Sequence, residues 1–362
     1  MAEHVRNTNI LSNLPIPDMF LPQIEAFTFG SLLARTTGKL DPLHAAHVLQ
    51  QNSGSDEVLV FDIGGTAIKS AVVKAINGKI YIGAQCVTES REKGGGYLDA
   101  LIQARREYPN LPTAVSTSGV VEAGKLEACP NLNNFVEQLK KAGSFSTVLG
   151  EDTLIMNDAQ AGLIAGTVGV TQRDLQAGTP TRPNTIYIIN GGGIGGAMMD
   201  KDGILRAAEP GHVELLSELN PNGVEKACGL KGNQYTCIER VGASGAGIEE
   251  QWEKRFEQRL DGKSIAEMMY SGNEYALNLY KVASTATAHI VAGMIRAMGI
   301  LPSEVSVVLH GGFFNTEGVI ERMKRILNRY YEQNIDLTPT KNLGYPNACM
   351  AGAAIAALTS NR

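Results

Sequence analysis

Residues 58–69 read Val-Leu-Val-Phe-Asp-Ile-Gly-Gly-Thr-Ala-Ile-Lys: an apolar run, then an acid, two glycines, a hydroxyl and a lysine. The apolar run predicts a buried strand, and Gly64 and Gly65 let the backbone turn where side chains would block a ligand. Amide hydrogens in such a turn can face phosphate oxygens, as can the Thr66 hydroxyl, with Lys69 close behind. Asp62 cannot bind phosphate directly, but it can hold a hydrated Mg²⁺ that bridges two phosphates. The chemistry this points to is that of a nucleotide, although the spacing fits neither GxGxxG nor GxxxxGK[ST]. A plain hairpin would use the same Gly-Gly pair, so both readings stand on these residues alone.

Other groups could serve a second substrate. Asn157-Asp158 lies where a strand gives way to a helix, so the Asp158 carboxylate is near the positive end of the helix dipole. The same residue would also serve as an ordinary helix cap. Glu209 and His212 lie three apart in Ala-Glu-Pro-Gly-His, and Glu239 follows in Cys-Ile-Glu. Hydroxyl groups of a ligand suit carboxylates as acceptors and histidine as either partner. Exposed loop carboxylates are common, however, and His212 with Cys228 and Cys237 also has metal-ligand chemistry. Gly191-Gly192-Gly193-Ile194-Gly195 and Gly311-Gly312 are two more glycine turns behind apolar runs. Ser116-Thr117-Ser118-Gly119 ends another run, and a capped turn would look the same.

The elements that must position these groups alternate. Residues 58–63, 67–75 and 79–87 are predicted as three strands joined by tight turns, the last at Asn77-Gly78. A helix over about 96–108, strands at 113–116 and 153–157, and a helix opening at Asp158 follow. Residues 185–199 repeat the opening logic, so a duplicated fold is expected whose halves face one ligand. A long helical region over about 241–299, a strand at 305–309 and a small-residue helix at 348–358 complete the α/β pattern. Residues 1–55 differ, with Pro15, Pro17, Pro22 and Pro42 and a closing polar run, Gln50-Gln51-Asn52-Ser53-Gly54-Ser55. Helical segments are expected there around 23–37 and 41–50. This stretch reads as an appendage packed on the body or on a neighbouring subunit. The division is therefore 1–55 as extension and linker, 56–185 as one α/β domain and 186–362 as a second, with a return of the last helix to the first domain left open.

Composition narrows the class. The chain has 362 residues, enough for two domains, and its 43% apolar and 19% charged shares describe a globular protein. A net charge of −5 with no basic block argues against a nucleic-acid partner. No apolar stretch approaches the roughly 20 residues of a membrane helix, so no membrane partner is expected. Five scattered cysteines and no apolar signal core behind the N-terminus make a cytoplasmic location the expectation.

Taken together, Asp62-Ile-Gly64-Gly65-Thr66 with Lys69, Pro130-Asn131-Leu132, Asn157-Asp158-Ala159, Gly193-Ile-Gly195-Gly196, Glu209-Pro-Gly-His212 and Cys237-Ile-Glu239 occur in the order of the ROK family. The chain resembles the sugar kinases of that family (glucokinases, fructokinases and N-acetylhexosamine kinases) over about 58–360. The resemblance implies an actin-like ATPase (ribonuclease H-like) fold, duplicated, with a cleft between two domains that close over the sugar. It implies transfer of the γ-phosphate of Mg²⁺-ATP to a hexose hydroxyl, with Asp158 as general base. Ser118, Gly119, Asn131, Asn157, Glu209, His212 and Glu239 would surround the sugar. Asp62, Gly64, Gly65, Thr66, Lys69, Gly191, Gly192, Gly193, Gly195, Gly311 and Gly312 would hold the nucleotide. Relatives are often dimers or tetramers, so a homo-oligomer is expected.

The sequence departs from the family in two places. Family members carry a three-cysteine zinc knuckle with histidine as fourth ligand, whereas here Lys226 replaces the first cysteine. His212, Cys228 and Cys237 remain for Zn²⁺, against a reading as two free cysteines. Gly192 stands where a threonine is common, which removes a phosphate-facing hydroxyl and suggests slower turnover or another phosphoryl donor. A polyphosphate-using glucokinase is thus a variant, and a slow kinase-like scaffold another. The family's sugar-responsive repressors define the non-enzymatic alternative, yet residues 1–55 are too short, proline-rich and weakly basic for their DNA-binding module.

Overall fold

The computed structural model describes residues 10–14, 32, 34–90, 95–122, 124–129, 132–213 and 237–360. They gather into two compact units. One comprises Thr36–Thr181, Lys201–Ala207 and the chain from Thr340 onward; the other comprises the chain up to Arg35, Arg182–Asp200 and Ala208–Pro339.

The unit that holds Asp62 begins with strand β1 (Arg35–Lys39) and the helix Pro42–Gln51. The helix starts where Asp41 accepts the His44 N–H at 3.0 Å and proline occupies the first turn. Residues 35–37 are thus strand rather than the end of a helix, as the β-branched Thr36 and Thr37 favour. Most of the helical segment expected at 23–37 lies outside the described residues. The run 50–55 is not a linker: the helix ends at Gln51 and β2 (Ser53–Ile63) starts at once. Asn52, buried between them, accepts the Gly54 N–H at 2.9 Å and donates to Asp56 at 3.2 Å.

From β2 the chain turns into β3 (Ala67–Ile76) and then β4 (Lys79–Ile82), through Asn77 and Gly78, both with positive φ (49° and 81°). That is the two-residue hairpin that Asn-Gly favours. The single strand expected at 79–87 is instead β4 and β5 (Cys86–Glu89), both paired to β3. The register moves by one residue between Val73↔Ile82 and Ser70↔Cys86, so an extra residue interrupts the ladder as in a bulge. After β6 (Thr113–Thr117), a hairpin of β7 (Val120–Glu122) and β8 (Lys125–Ala128) stands apart. Strand β9 (Leu154–Asn157) completes the sheet in the order β4-β3-β2-β6-β9, with β2, β6 and β9 parallel. Leu59, Phe61 and Ile63 pack with residues of the helices Tyr97–Glu107, Asn133–Ala142 and Phe145–Leu149. Strand β2 also packs on the helix Ala348–Ser360, which runs against the helix Asp158–Ala177. Burial on both faces explains why Val58–Phe61 is apolar at successive positions.

In the other unit, β10 (Asn184–Asn190) and β11 (Ile194–Met199) form the hairpin. Strand β12 (Ile204–Ala208) follows; all but its last residue belong to the unit that holds Asp62, within which the Gly203 carbonyl accepts the Leu40 N–H at 2.8 Å. Strands β13 (Val305–His310) and β14 (Asp336–Pro339) then add parallel to β10. The order β11-β10-β13-β14 has the same pairing senses as β3-β2-β6-β9, so the duplication is visible inside each unit. The helical region near 241–299 is three helices, Gly245–Phe256, Gly262–Tyr270 and Glu274–Met298. Asp261 and Asn273 cap the second and third. Leu11 and Leu32 are fully buried in this unit's core. Arg322, equally buried, donates to the Leu14 carbonyl at 3.1 Å and to Thr285 Oγ1 at 3.2 Å. The described part of the N-terminal stretch is thus packed on the body.

Candidate functional site

Strands β2, β6 and β9 end on one side of their sheet, where open α/β sheets gather ligand-binding groups. Across the ladders Asp62 faces Ser116 and Lys69, and Thr117 faces Asn157. Asp62 and Asp158 are two strands apart, so their backbones are separated by about 10 Å. Burial pushes the Asp62 carboxyl above the usual range; the Lys69 charge and a hydrogen bond from Asn347 Nδ2 to Oδ2 (3.2 Å) pull it back. Asp158 is pushed up to about 7, first by desolvation and then by the Asp62 charge. Backbone N–H groups, including that of Ala159 at 2.7 Å from Oδ1, oppose the rise. Two desolvated carboxylates that repel each other make a set of hard oxygen donors whose cost a divalent cation would remove.

Asn157 organises the surroundings. Its Oδ1 accepts the N–H groups of Ala159 (2.9 Å) and Gln160 (3.4 Å), which starts the helix at Asp158. Its Nδ2 donates to the Gly119 carbonyl at 2.8 Å. Ser118 is held by the Ile63 carbonyl through its N–H (2.9 Å) and its hydroxyl (3.3 Å). Gly119 has a φ of 102°, and a Cβ there would collide with the Ala128 carbonyl, so only glycine fits. Replacing Asn157 by alanine should therefore cost about 1–2 kcal/mol, read as a lower denaturation midpoint at unchanged slope. Asn157→Ser, which keeps a cap acceptor, should lose less.

The first glycine turn is closed by the Gly64 N–H on the Ala67 carbonyl (3.0 Å). The buried Tyr97 hydroxyl donates to the Gly64 carbonyl at 3.0 Å, which leaves Gly65 and Thr66 exposed.

In the other unit the Gly191 N–H closes the β10–β11 turn on the Gly193 carbonyl at 3.0 Å. Buried Asn190 ties this turn to the start of the helix Gly245–Phe256: Oδ1 accepts the Gly245 N–H (3.2 Å) and Nδ2 donates to the Ala243 carbonyl (3.1 Å). A Cβ at Gly191 or Gly192 would meet nothing within 4 Å, and neither residue has a positive φ. These glycines therefore keep open space beside the backbone, as a close-lying ligand requires. Glu239 Oε2 accepts the Ile194 N–H at 3.1 Å. Its carboxylate lies 3.1 Å from where Gly193, and 2.9 Å from where Gly211, would carry a Cβ. Gly311, at a φ of 109°, backs directly onto the Asn190 carbonyl. Gly312 starts the short turn Gly312–Asn315, and Gly195 sits on β11 opposite Ile189. Glu209 precedes the turn Pro210–His212 and donates its N–H to the Leu32 carbonyl at 2.9 Å.

His212 Nδ1 lies 3.8 Å from the buried Cys237 Sγ. Cys228 and Asn131 lie outside the described residues. Among the described residues no group of three His, Cys, Asp or Glu side chains is placed to hold a metal ion. Sequence reading missed Asn190, Tyr97 and Asn347. Asn190 ends β10 where Ile63 ends β2, so comparing the two hairpins does not single it out, and its reach to the helix Gly245–Phe256 has no local signal. Pro346-Asn347 before a small-residue helix is a capping signature, and Asn347 Oδ1 does accept the Met350 N–H at 3.0 Å. Its reach to Asp62 has no local signal.

Two units that repeat one hairpin-plus-parallel-strand pattern, each with a glycine turn in its hairpin, define the actin-like ATPase fold. The sequence model of the ROK family matches residues 58–360, and the chain belongs to that family. In fold it is similar to a ROK hexokinase from Thermus thermophilus, at 22% identity and a TM-score of 0.57, over 83% of this chain and 97% of that one. A ROK family glucokinase from Streptomyces griseus, solved with glucose and AMPPNP, is similar at 19% identity and a TM-score of 0.59, over 82% and 98%. So is a ROK family transcriptional regulator, a homolog of the E. coli MLC protein, at 17% identity and a TM-score of 0.60, over 91% and 87%. No curated protein matches the sequence. No helix among the described residues is long and apolar enough to cross a membrane.

Proposed function

We propose that the protein is an ATP-dependent sugar kinase that moves the γ-phosphoryl group of Mg²⁺-ATP to a hydroxyl of a hexose or a related sugar. Asp158 is the general base in this reading. The observation that carries it is the Asp158 carboxyl: it sits at a helix start behind β9 and is pushed up to about 7. A base poised near neutrality is matched to taking a proton from an alcohol, and phosphoryl transfer otherwise needs positioning rather than covalent help.

The nucleotide, with its magnesium, supplies the phosphoryl group and the charge that offsets its oxygens. Asp62 would hold the hydrated ion. The exposed turn at Gly65 and Thr66, with Lys69 and the open turn at Gly191–Gly193, would bind phosphate through amides, a hydroxyl and an ammonium. Gly195, Gly311 and Gly312 would lie on the nucleotide side as well. Ser118, Gly119 and Asn131 would position the sugar, with Glu209, His212 and Glu239 accepting or donating to its hydroxyls. Asn157 would act on it through the Gly119 turn it holds. Zinc is not needed for this reading; of its three candidate ligands His212 and Cys237 lie near each other, and Cys228 is outside the described residues.

An assay over hexoses, amino sugars and cyclitols, read as ADP release with ATP and as sugar-phosphate formation with polyphosphate, tests the proposal. Sugar-dependent ADP release from ATP supports it, and release with no acceptor in the panel would remove the kinase reading. Transfer from polyphosphate alone would overturn the donor assignment. The pH dependence is a second check. Because the base is lost as Asp158 gains its proton, kcat/KM should fall about tenfold per pH unit below pH about 7 and level off above it. A flat profile from pH 5 to 8 would remove Asp158 as the base.

The regulator among the solved relatives supports a second reading, a sugar sensor without turnover. Against it, Leu11 and Leu32 are committed to the same core as Ile186 and Val307 rather than to a separate module.

A further inference from the structure

We infer that Asn347 is a positioning residue for Asp62, which fixes the acid that would hold the hydrated magnesium ion; this rests on the kinase reading. Asn347 is only 9% exposed and lies 285 residues from its partner in sequence. Both ends of its amide are used. Oδ1 accepts the Met350 N–H at 3.0 Å and caps the last helix, which leaves Nδ2 to donate to Asp62 Oδ2 at 3.2 Å. A donor on one carboxylate oxygen sets the direction of the other, the way outer partners orient a metal-binding carboxylate.

The same helix also fixes the second acid. Ala348–Ser360 packs along Asp158–Ala177, with Gly352 against the Ala161 carbonyl. One helix therefore sets Asp62 through a side-chain hydrogen bond and Asp158 through backbone contact one turn further along. Among the described residues, neither strand β2 nor the turn after it gives the Asp62 side chain a further side-chain hydrogen bond.

Capping and positioning can be separated by two variants. Asn347→Ala removes both the cap acceptor and the donor to Asp62. Asn347→Ser restores a cap acceptor, but its hydroxyl is too short to reach Asp62 as well. The experiment measures thermal midpoint, Mn²⁺ affinity in the presence of ADP by electron paramagnetic resonance, and the KM values for Mg²⁺ and for the sugar. Asn347→Ser should recover most of the thermal midpoint lost in Asn347→Ala. Both variants should nonetheless bind Mn²⁺ about tenfold more weakly and raise the Mg²⁺ KM to match, with the sugar KM unchanged. If Asn347→Ser recovers metal affinity together with stability, Asn347 is only a cap and the inference falls. If both variants keep wild-type metal affinity, it also falls while the kinase reading stands. A wild-type protein that neither binds Mn²⁺ with ADP nor releases ADP overturns both.

Discussion

Asp158→Asn should lower kcat by about 10²- to 10⁴-fold while sugar binding is kept, the loss expected when a general base is removed but the site stays in place. Asparagine preserves the size of the side chain and an oxygen to accept the Ala159 N–H, so the helix start is retained. What it cannot do is take a proton. Steady-state kinetics with the best acceptor, together with calorimetric titration of that sugar, check both halves. Unchanged turnover would leave the assigned base without a role. The same variant has a stability signature with a definite sign. In the folded protein desolvation and then the Asp62 charge push the Asp158 carboxyl up to about 7, from 3.8 for an unperturbed aspartate. Its protonation therefore stabilises the fold: the contribution is fully present below pH about 4 and is lost as pH rises through 7. Asparagine stays neutral throughout. Metal-free Asp158→Asn should accordingly be more stable than wild type at pH 8, by on the order of 1–3 kcal/mol, with the gain vanishing toward pH 4. An enzyme that is less active and more stable at high pH is the pattern of a functional group held at a cost.

Gly352→Ala should produce a large loss of stability. A Cβ at this position would fall inside the contact distance of the Ala161 carbonyl oxygen and crowd its carbon at 2.5 Å. The obstacle is backbone inside a packed helix pair, which cannot swing aside as a side chain can. The two helices must separate or the variant must not fold, and a cost of at least about 3 kcal/mol is expected. Gly262→Ala is the control, since its Cβ would make an ordinary contact at 3.6 Å with Glu249 Oε1. Chemical denaturation of the two variants side by side measures the difference. Equal midpoints would show that the helices of Asp158–Ala177 and Ala348–Ser360 tolerate a wider spacing. Because these helices carry Asp158 at one start and Asn347 at the other, any Gly352→Ala protein that still folds should also turn over more slowly.

How far the residues could be read in advance depends on how local their cause is. Asn77-Gly78 was legible because both positions demand positive φ, and the hairpin follows. The start of the helix at Asp158 was legible because Asn157 is a cap whose partners lie within three residues. The break between β4 and β5 was not, because the apolar and polar alternation continues through it. The register shift is set by how the strand pairs with β3, not by its own composition. The helical region near 241–299 showed its apolar character, while its division depended on Asp261 and Asn273 acting as caps.

By itself the sequence determined the alternation of strands and helices, the three glycine turns and the order of motifs that places the chain in the ROK family. Each of these follows from neighbours a few residues apart, where periodicity, turn geometry and capping act. Only the tertiary structure decided that Asp62 is held by Asn347, that Asn190 ties the second turn to a later helix, and that Glu239 lies against Gly193 and Gly211. The Asp158 carboxyl owes its rise to the same level of organisation. Desolvation and repulsion from Asp62 arise when β2 and β9 join one sheet, and no spacing along the chain encodes how much water that removes.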